Sequence, residues 1–328
     1  SMIIDFNYFK QNVSLNSQGL RDKDYSEKKL NETRILALGD SFLFGAVWDV
    51  NQVFIKVFER ELNKNNKNKE YSVVNTGVSG YGSYEEKEFL KRDGSQFNPD
   101  VAIYFFYLND IESDLGAPQA VVLDNGCAVS KSSLNLSYFS AQRLTNWLVS
   151  HSRAYVFFRF IMINENSWLR NSLYYLRNFL VDLNLTTPPA LQYKILLSHY
   201  DEETSLGWNA TLSNIKEMNV FSKNNNLKFL VIFIPMKFQV YDSLWEDYKK
   251  RNKIGNSTYD FKKTAKILNE LSEQNNFRFI DLTPLIRNKI IKENITEPIY
   301  YEGDAHFNII GNELVGKVLH DELKEDFK

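Results

Sequence analysis

The stretch RILALGDSFLFGAVWD (34–49) decides how the rest of the chain is read. Its first five residues form an apolar run with the length of a buried strand. The run stops at Gly39-Asp40-Ser41 and resumes in aromatics. A glycine at the end of a buried strand supplies a turn. The turn has no need of a hydroxyl straight after it, so Ser41 is either turn chemistry or a reactive group. Four more runs share the character of the first: YSVVN (71–75), VAIYFFY (101–107), KFLVIFI (228–234) and FRFIDL (277–282). They are continuous rather than alternating, as expected of strands covered on both faces.

Helical patterns separate these runs. Val53, Phe54, Val57, Phe58 and Leu62 make one stripe. Ser83-Tyr84-Glu85-Glu86 reads as a capping box that opens a second helix, ending before Gly94. Leu212, Ile215, Met218 and Phe221 make a third stripe, Phe261, Ala265, Leu268 and Leu271 a fourth, and a last helix is expected over roughly 309–324. Strand and helix in alternation predict an α/β fold with a five-stranded parallel sheet wound on both sides. One crossover is too long for a simple connection. Residues 111–205 therefore read as a helical insertion over the carboxyl edge of the sheet, and residues 1–33 as a polar N-terminal extension. The aromatics of the insertion (Trp147, Phe157, Phe158, Trp168, Tyr174, Tyr175) read mostly as core. A minority would line an acyl or sugar site or a dimer face, and Arg153, Arg159, Arg170 and Arg177 among them would meet an anionic group or solvent.

Bulk composition narrows the function classes. The 328 residues carry 39 basic and 41 acidic side chains, a net charge of −2, which is no electrostatic footprint for nucleic acid. Cys127 is the single cysteine, so neither an internal disulfide nor a cysteine metal cage is available. The four histidines, His151, His199, His306 and His320, fall at no metal-ligand spacing on one helix face. No metal or organic cofactor is implied. No apolar run approaches the ~18 residues of a membrane span. Ser1 before Met2 reads as the scar of a removed tag, which leaves compartment unassigned.

In parallel α/β sheets, ligands bind beyond the carboxyl ends of the strands. Those ends carry Ser41, then the loop Asn75-Thr76-Gly77-Val78-Ser79-Gly80-Tyr81-Gly82, then Asn109-Asp110, and near the C-terminus Asp304-Ala305-His306. Together these four blocks resemble the SGNH (GDSL-type) hydrolase family, named for its Ser, Gly, Asn and His. Ser41, Gly80, Asn109 and His306 match in order and in their places after strands. The resemblance covers residues 34–110 and 228–320. It implies a three-layer α/β/α, flavodoxin-like fold and ester hydrolysis or O-acyl transfer. The third block is Tyr107-Leu108-Asn109-Asp110 where the family often has Gly-x-Asn-Asp. The last is Asp304-x-His306 where Asp-x-x-His is common, and the shorter spacing resembles relatives that acetylate or deacetylate exopolysaccharides. A small acyl group, acetyl above all, on a carbohydrate is the substrate this implies.

Each role has a physical reason. A serine hydroxyl needs a base to take its proton, and His306 is the histidine beside a carboxylate at the sheet's end. Asp304 would fix its tautomer and stabilise the imidazolium. The backbone N–H groups of Ser41 and Gly80 and the Asn109 amide would receive the oxyanion. Each residue also has a plainer reading. Ser41 could cap a turn, and Gly77, Gly80 and Gly82 could be loop glycines, with Gly77 and Gly82 best explained that way. Asn109 or Asp110 could cap the next helix, with Asp110 the better candidate. Asp304 could bond backbone, and Asp281 is the rival partner for His306. Lys237, just after the fourth strand, would reach the same rim.

Overall fold

The computed structural model describes residues 2–6, 9–45, 49–64, 66, 68–116, 120–122, 128–130, 194–252, 258–302 and 304–327. A hairpin of β1 (Met2–Phe6) and β2 (Phe9–Val13) comes first, followed by the central strands β3 (Glu32–Leu38), β4 (Glu70–Asn75) and β5 (Val101–Phe106). A small hairpin of β6 (Ala120–Val122) and β7 (Ala128–Ser130) precedes the last two central strands, β8 (Lys228–Phe233) and β9 (Arg278–Asp281). The five central strands pair in the order β4-β3-β5-β8-β9, all parallel. Each expected strand is present with its ends moved by one or two residues. β5 is buried along its whole length, which explains its unbroken apolar run, whereas edge strand β9 is only partly covered.

Ten helices accompany the sheet among the described residues. They are α1 (Ser41–Phe44), α2 (Phe54–Asn63), α3 (Ser83–Arg92), α4 (Asn109–Gly116), α5 (Glu202–Asn224), α6 (Lys237–Val240), α7 (Asp242–Asn252), α8 (Lys263–Asn275), α9 (Leu282–Lys292) and α10 (Ile309–Leu323). Contacts put α2, α9 and α10 together against one face and α3, α5 and α8 against the other, giving three layers. The stripe read from sequence on α2 is buried: Phe54, Val57, Phe58 and Leu62 all lie in the core. Gly316 of α10 lets that helix close on α2, since a Cβ there would stand 2.4 Å from the Val57 Cβ.

The order of the sheet matters for function. The chain leaves β3 towards β4 on one side and returns to β5 on the other. Such a reversal opens a crevice at the carboxyl ends of the two strands where it occurs. Ser41 follows β3 and Asn109 follows β5, and these strands are neighbours with Leu38 opposite Tyr104.

Two local readings are corrected. Ser83 does not cap α3. Gly82 holds that position and Glu85 accepts its backbone N–H at 3.0 Å, one arm of a box whose other arm glycine has no side chain to supply. Ser83 instead donates to Asp114 at 2.6 Å, and Glu86 turns into the core. Asp110 does not cap α4 forward. Its carboxylate reaches back, accepting from Tyr104 Oη at 2.6 Å and the Tyr107 N–H at 3.1 Å. The centre of the 111–205 insertion, with the aromatics and arginines named above, His151 and Cys127, lies outside the described residues.

Candidate active site

The end of β3 is built around Asp40. This carboxylate is buried, at 2% exposure, and accepts the Phe42 N–H at 2.9 Å, which starts α1. Ser41 is thus the first residue of a four-residue helix, held between a buried cap and Gly45, whose φ of +58° ends the turn. Gly77, at the end of β4, is more than a loop residue. A Cβ there would stand 2.5 Å from the Leu43 Cβ and 2.6 Å from the Phe44 nitrogen, so its absence lets the β4 loop close against α1. Gly82 is also constrained, with Ser113 Cβ 2.7 Å from where its own would be. Gly80 differs: nothing lies within 4 Å of a Cβ there, but its φ is +85°, a conformation that favours glycine.

His306 comes from the other end of the chain. The segment that carries it is a tight turn, closed by the bridge between Tyr300 and Phe307 and by a Tyr301 N–H donated to the His306 carbonyl at 3.1 Å. Phe307 is buried against Phe42, Phe54 and Tyr300 and anchors the turn in the core. Asn308 then caps α10 through the Gly311 N–H at 2.9 Å. The imidazole rests beside the Phe42 ring, with centroids 4.8 Å apart.

Ser41 Oγ lies 2.7 Å from His306 Nε2. His306 Nδ1 lies 2.6 Å from Asp304 Oδ1. That same oxygen accepts the His306 backbone N–H at 2.8 Å, so the short Asp-x-His spacing folds the carboxylate back onto both. With Nδ1–H donated to Asp304, Nε2 is the bare nitrogen that faces the serine hydroxyl. Asp281, the rival partner, caps α9 instead, accepting from the Thr283 N–H at 2.8 Å and from its hydroxyl. Lys237 does reach the rim, donating to the Asp304 carbonyl at 3.2 Å. His199 is exposed, and His320 lies 3.5 Å from Asp321, in α10.

Electrostatics follow the contacts. The hydrogen bond to His306 holds the Asp304 carboxyl at about 2, against some opposing burial. Burial works against a charged His306, but the hydrogen bond and charge of Asp304, with the charge of Asp40 behind them, prevail and shift the imidazole upward. Asn109 donates its amide to Asp40 Oδ2 at 2.8 Å. Asp40 and its link to Asn109 carried no role in the sequence reading. The available signal was the adjacency of a carboxylate to Ser41 at the end of an apolar run, which is also the signature of an ordinary helix cap.

No protein-family model and no curated protein matches the chain. Solved structures similar to it include an acetyl xylan esterase, AlAXEase, at 14% identity and a TM-score of 0.46, covering 88% of this chain and 99% of the other. A lipase/acylhydrolase from Enterococcus faecalis is 14% identical with a TM-score of 0.43, covering 90% and 96%. A catalytic mutant of an acetylxylan esterase from Geobacillus stearothermophilus is 12% identical with a TM-score of 0.45, covering 89% and 94%.

Proposed function

We propose that the protein is a serine ester hydrolase of the SGNH kind, working through an acyl-Ser41 intermediate. The observation that carries this reading is the continuous relay from Ser41 Oγ to His306 Nε2 at 2.7 Å and from His306 Nδ1 to Asp304 at 2.6 Å. His306 takes the Ser41 proton as the hydroxyl oxygen attacks the ester carbonyl. The tetrahedral oxyanion is received by the N–H groups of Ser41 and Gly80 and by the Asn109 amide. His306 returns the proton to the departing alcohol, leaving the acyl group on Ser41. It then takes the acceptor's proton as that oxygen attacks the acyl carbon, and passes the proton to Ser41 Oγ as the acyl–Ser41 bond breaks. Water as acceptor gives an esterase, and a sugar hydroxyl gives an O-acyltransferase.

The substrate proposed is a small acyl ester, acetyl above all, of a carbohydrate. This rests on the short Asp-x-His block and its resemblance to enzymes of exopolysaccharide acetylation. Residues 34–328 would form the hydrolase domain and 111–205 a cap over its mouth. Among the described residues, no helix is long and apolar enough to cross a membrane.

The test is turnover of an acetyl ester by the wild-type protein, Ser41→Ala and His306→Ala, with fluorophosphonate labelling in parallel. Both variants should fall by roughly 10⁴–10⁶-fold, and label should appear on Ser41 alone. Equal rates in all three, with no label on Ser41, would reduce the site to a binding cleft on the same fold.

A further inference from the structure

We infer that Asp40 is a positioning residue that sets which end of the Asn109 amide faces the reacting carbonyl. The inference rests on the esterase reading, in which that amide is an oxyanion donor. A carboxamide has a donor end and an acceptor end of nearly equal size, and only its hydrogen-bond partners decide which way round it sits. Asn109 Oδ1 is buried with no hydrogen-bond partner, so that end anchors nothing. The amide nitrogen is held by Asp40 Oδ2 at 2.8 Å. Asp40 can accept there because its other oxygen is occupied by the Phe42 N–H at 2.9 Å, and because a carboxylate offers only acceptors. One N–H of the amide is therefore committed to Asp40, and the second remains for an oxyanion. Had the amide turned over, its oxygen would confront the carboxylate and a second acceptor would confront the oxyanion.

Asp40 is a helix cap on the plainer reading, and Oδ1 does serve one. Oδ2 is unnecessary for that task, and α1 is only four residues long. The carboxylate is buried at 2% exposure directly before the nucleophile, a costly place for a charge whose only purpose is a cap.

Asp40→Asn separates the two roles. An asparagine can still cap through its carbonyl oxygen, and it is nearly isosteric. Its amide end would then face Asn109 with donor against donor, and Asn109 would rotate to offer its oxygen. The expected result is a folded variant whose kcat for an acetyl ester falls about 10²–10³-fold with KM little changed, matching Asn109→Ala. The double variant Asp40→Asn/Asn109→Ala should be no slower than the worse single, because both remove the same donor. Losses that multiply in the double variant, or an unimpaired Asp40→Asn, would overturn the inference and leave the esterase reading standing. A wild type that neither turns over esters nor labels at Ser41 would overturn both. Should Asp40→Asn fail to fold, the wild-type Asn109 side-chain amide, identified by the NMR signal lost in Asn109→Ala, carries the test. One amide proton should be shifted downfield and slow to exchange. Two equivalent, fast-exchanging protons would overturn the inference.

Discussion

Ser41 and His306 come from positions 265 residues apart, and their 2.7 Å contact makes each dependent on the other's protonation. His306 can take a proton from Ser41 only while Nε2 is bare, so activity should rise with pH through the imidazole's pKa. That pKa is shifted upward, with Asp304 supplying most of what offsets burial. In Asp304→Asn the titration midpoint of His306, followed by NMR of its ring protons, should move down. The rate should fall by about 10⁴-fold, as the wrong tautomer is favoured. An unmoved midpoint would mean the carboxylate does not govern the ring. Gly80→Ala tests a different residue-scale requirement. The space around it is open but φ is +85°, so the cost should be backbone strain of ~1–2 kcal/mol, seen as a lower Tm, without repacking. The meeting of Ser41 and His306 was legible because a hydroxyl follows the first apolar run and a histidine stands beside a carboxylate after the last, in the order of the family blocks. Choosing between Asp281 and Asp304 was not, because both are followed closely by groups a carboxylate can bond, and only the fold shows Asp281 spent on Thr283.

Elements carry these residues into place, and their ends can be tested separately from the chemistry. Asp281→Ala removes the cap of α9 and should cost about 1 kcal/mol of stability while esterase rates stay near wild type. A collapse in rate with stability intact would restore Asp281 as a working partner of His306. Gly77→Ala should instead couple stability to rate, since the added methyl meets Leu43 and the backbone of Phe44. Forcing α1 aside should cost ~1–3 kcal/mol and misplace Ser41, lowering both Tm and kcat. The capping pattern at Ser83 to Glu86 shows how element reading slips. Serine three residues before a glutamate is a sound signal, but Glu85 and Glu86 stand together and either fits within one residue of register. Packing chose Glu85 for the Gly82 N–H and buried its neighbour Glu86.

At the scale of the whole molecule, five apolar runs and their intervening stripes were enough to read a parallel sheet, because a strand covered on both faces must be continuously apolar. The acidic residues packed beneath the site had no such periodicity and went unread. Glu86, Asp110 and Asp114 are all buried, and burial above all pushes each carboxyl up, Asp114 to about 6. Neither oxygen of Glu86 has a partner in normal hydrogen-bond geometry, the Gly39 N–H offsetting only part of its burial. A carboxyl raised in this way takes up a proton on folding. Its stabilising effect is therefore greatest below about pH 4, where the unfolded group ionises, and is lost as pH rises towards the folded value. For Asp114 that window closes near 6, and for Glu86 and Asp110 burial shifts it in the same direction. Glu86→Gln should flatten the decline of Tm with rising pH and be the more stable protein at pH 8, and parallel Tm–pH curves would count against it. Arg21 donates to the carbonyls of Phe44 and Gly45, Asp22 accepts the Asn75 N–H at 2.9 Å, and Tyr25 donates to the Val73 carbonyl at 2.8 Å. The polar leader thus grips both the helix that starts at Ser41 and the strand beside it. An engineer who shortened the gene to begin at Glu32 would lose a strap around the helix that carries Ser41, so the folding unit takes in residues well upstream of the first central strand.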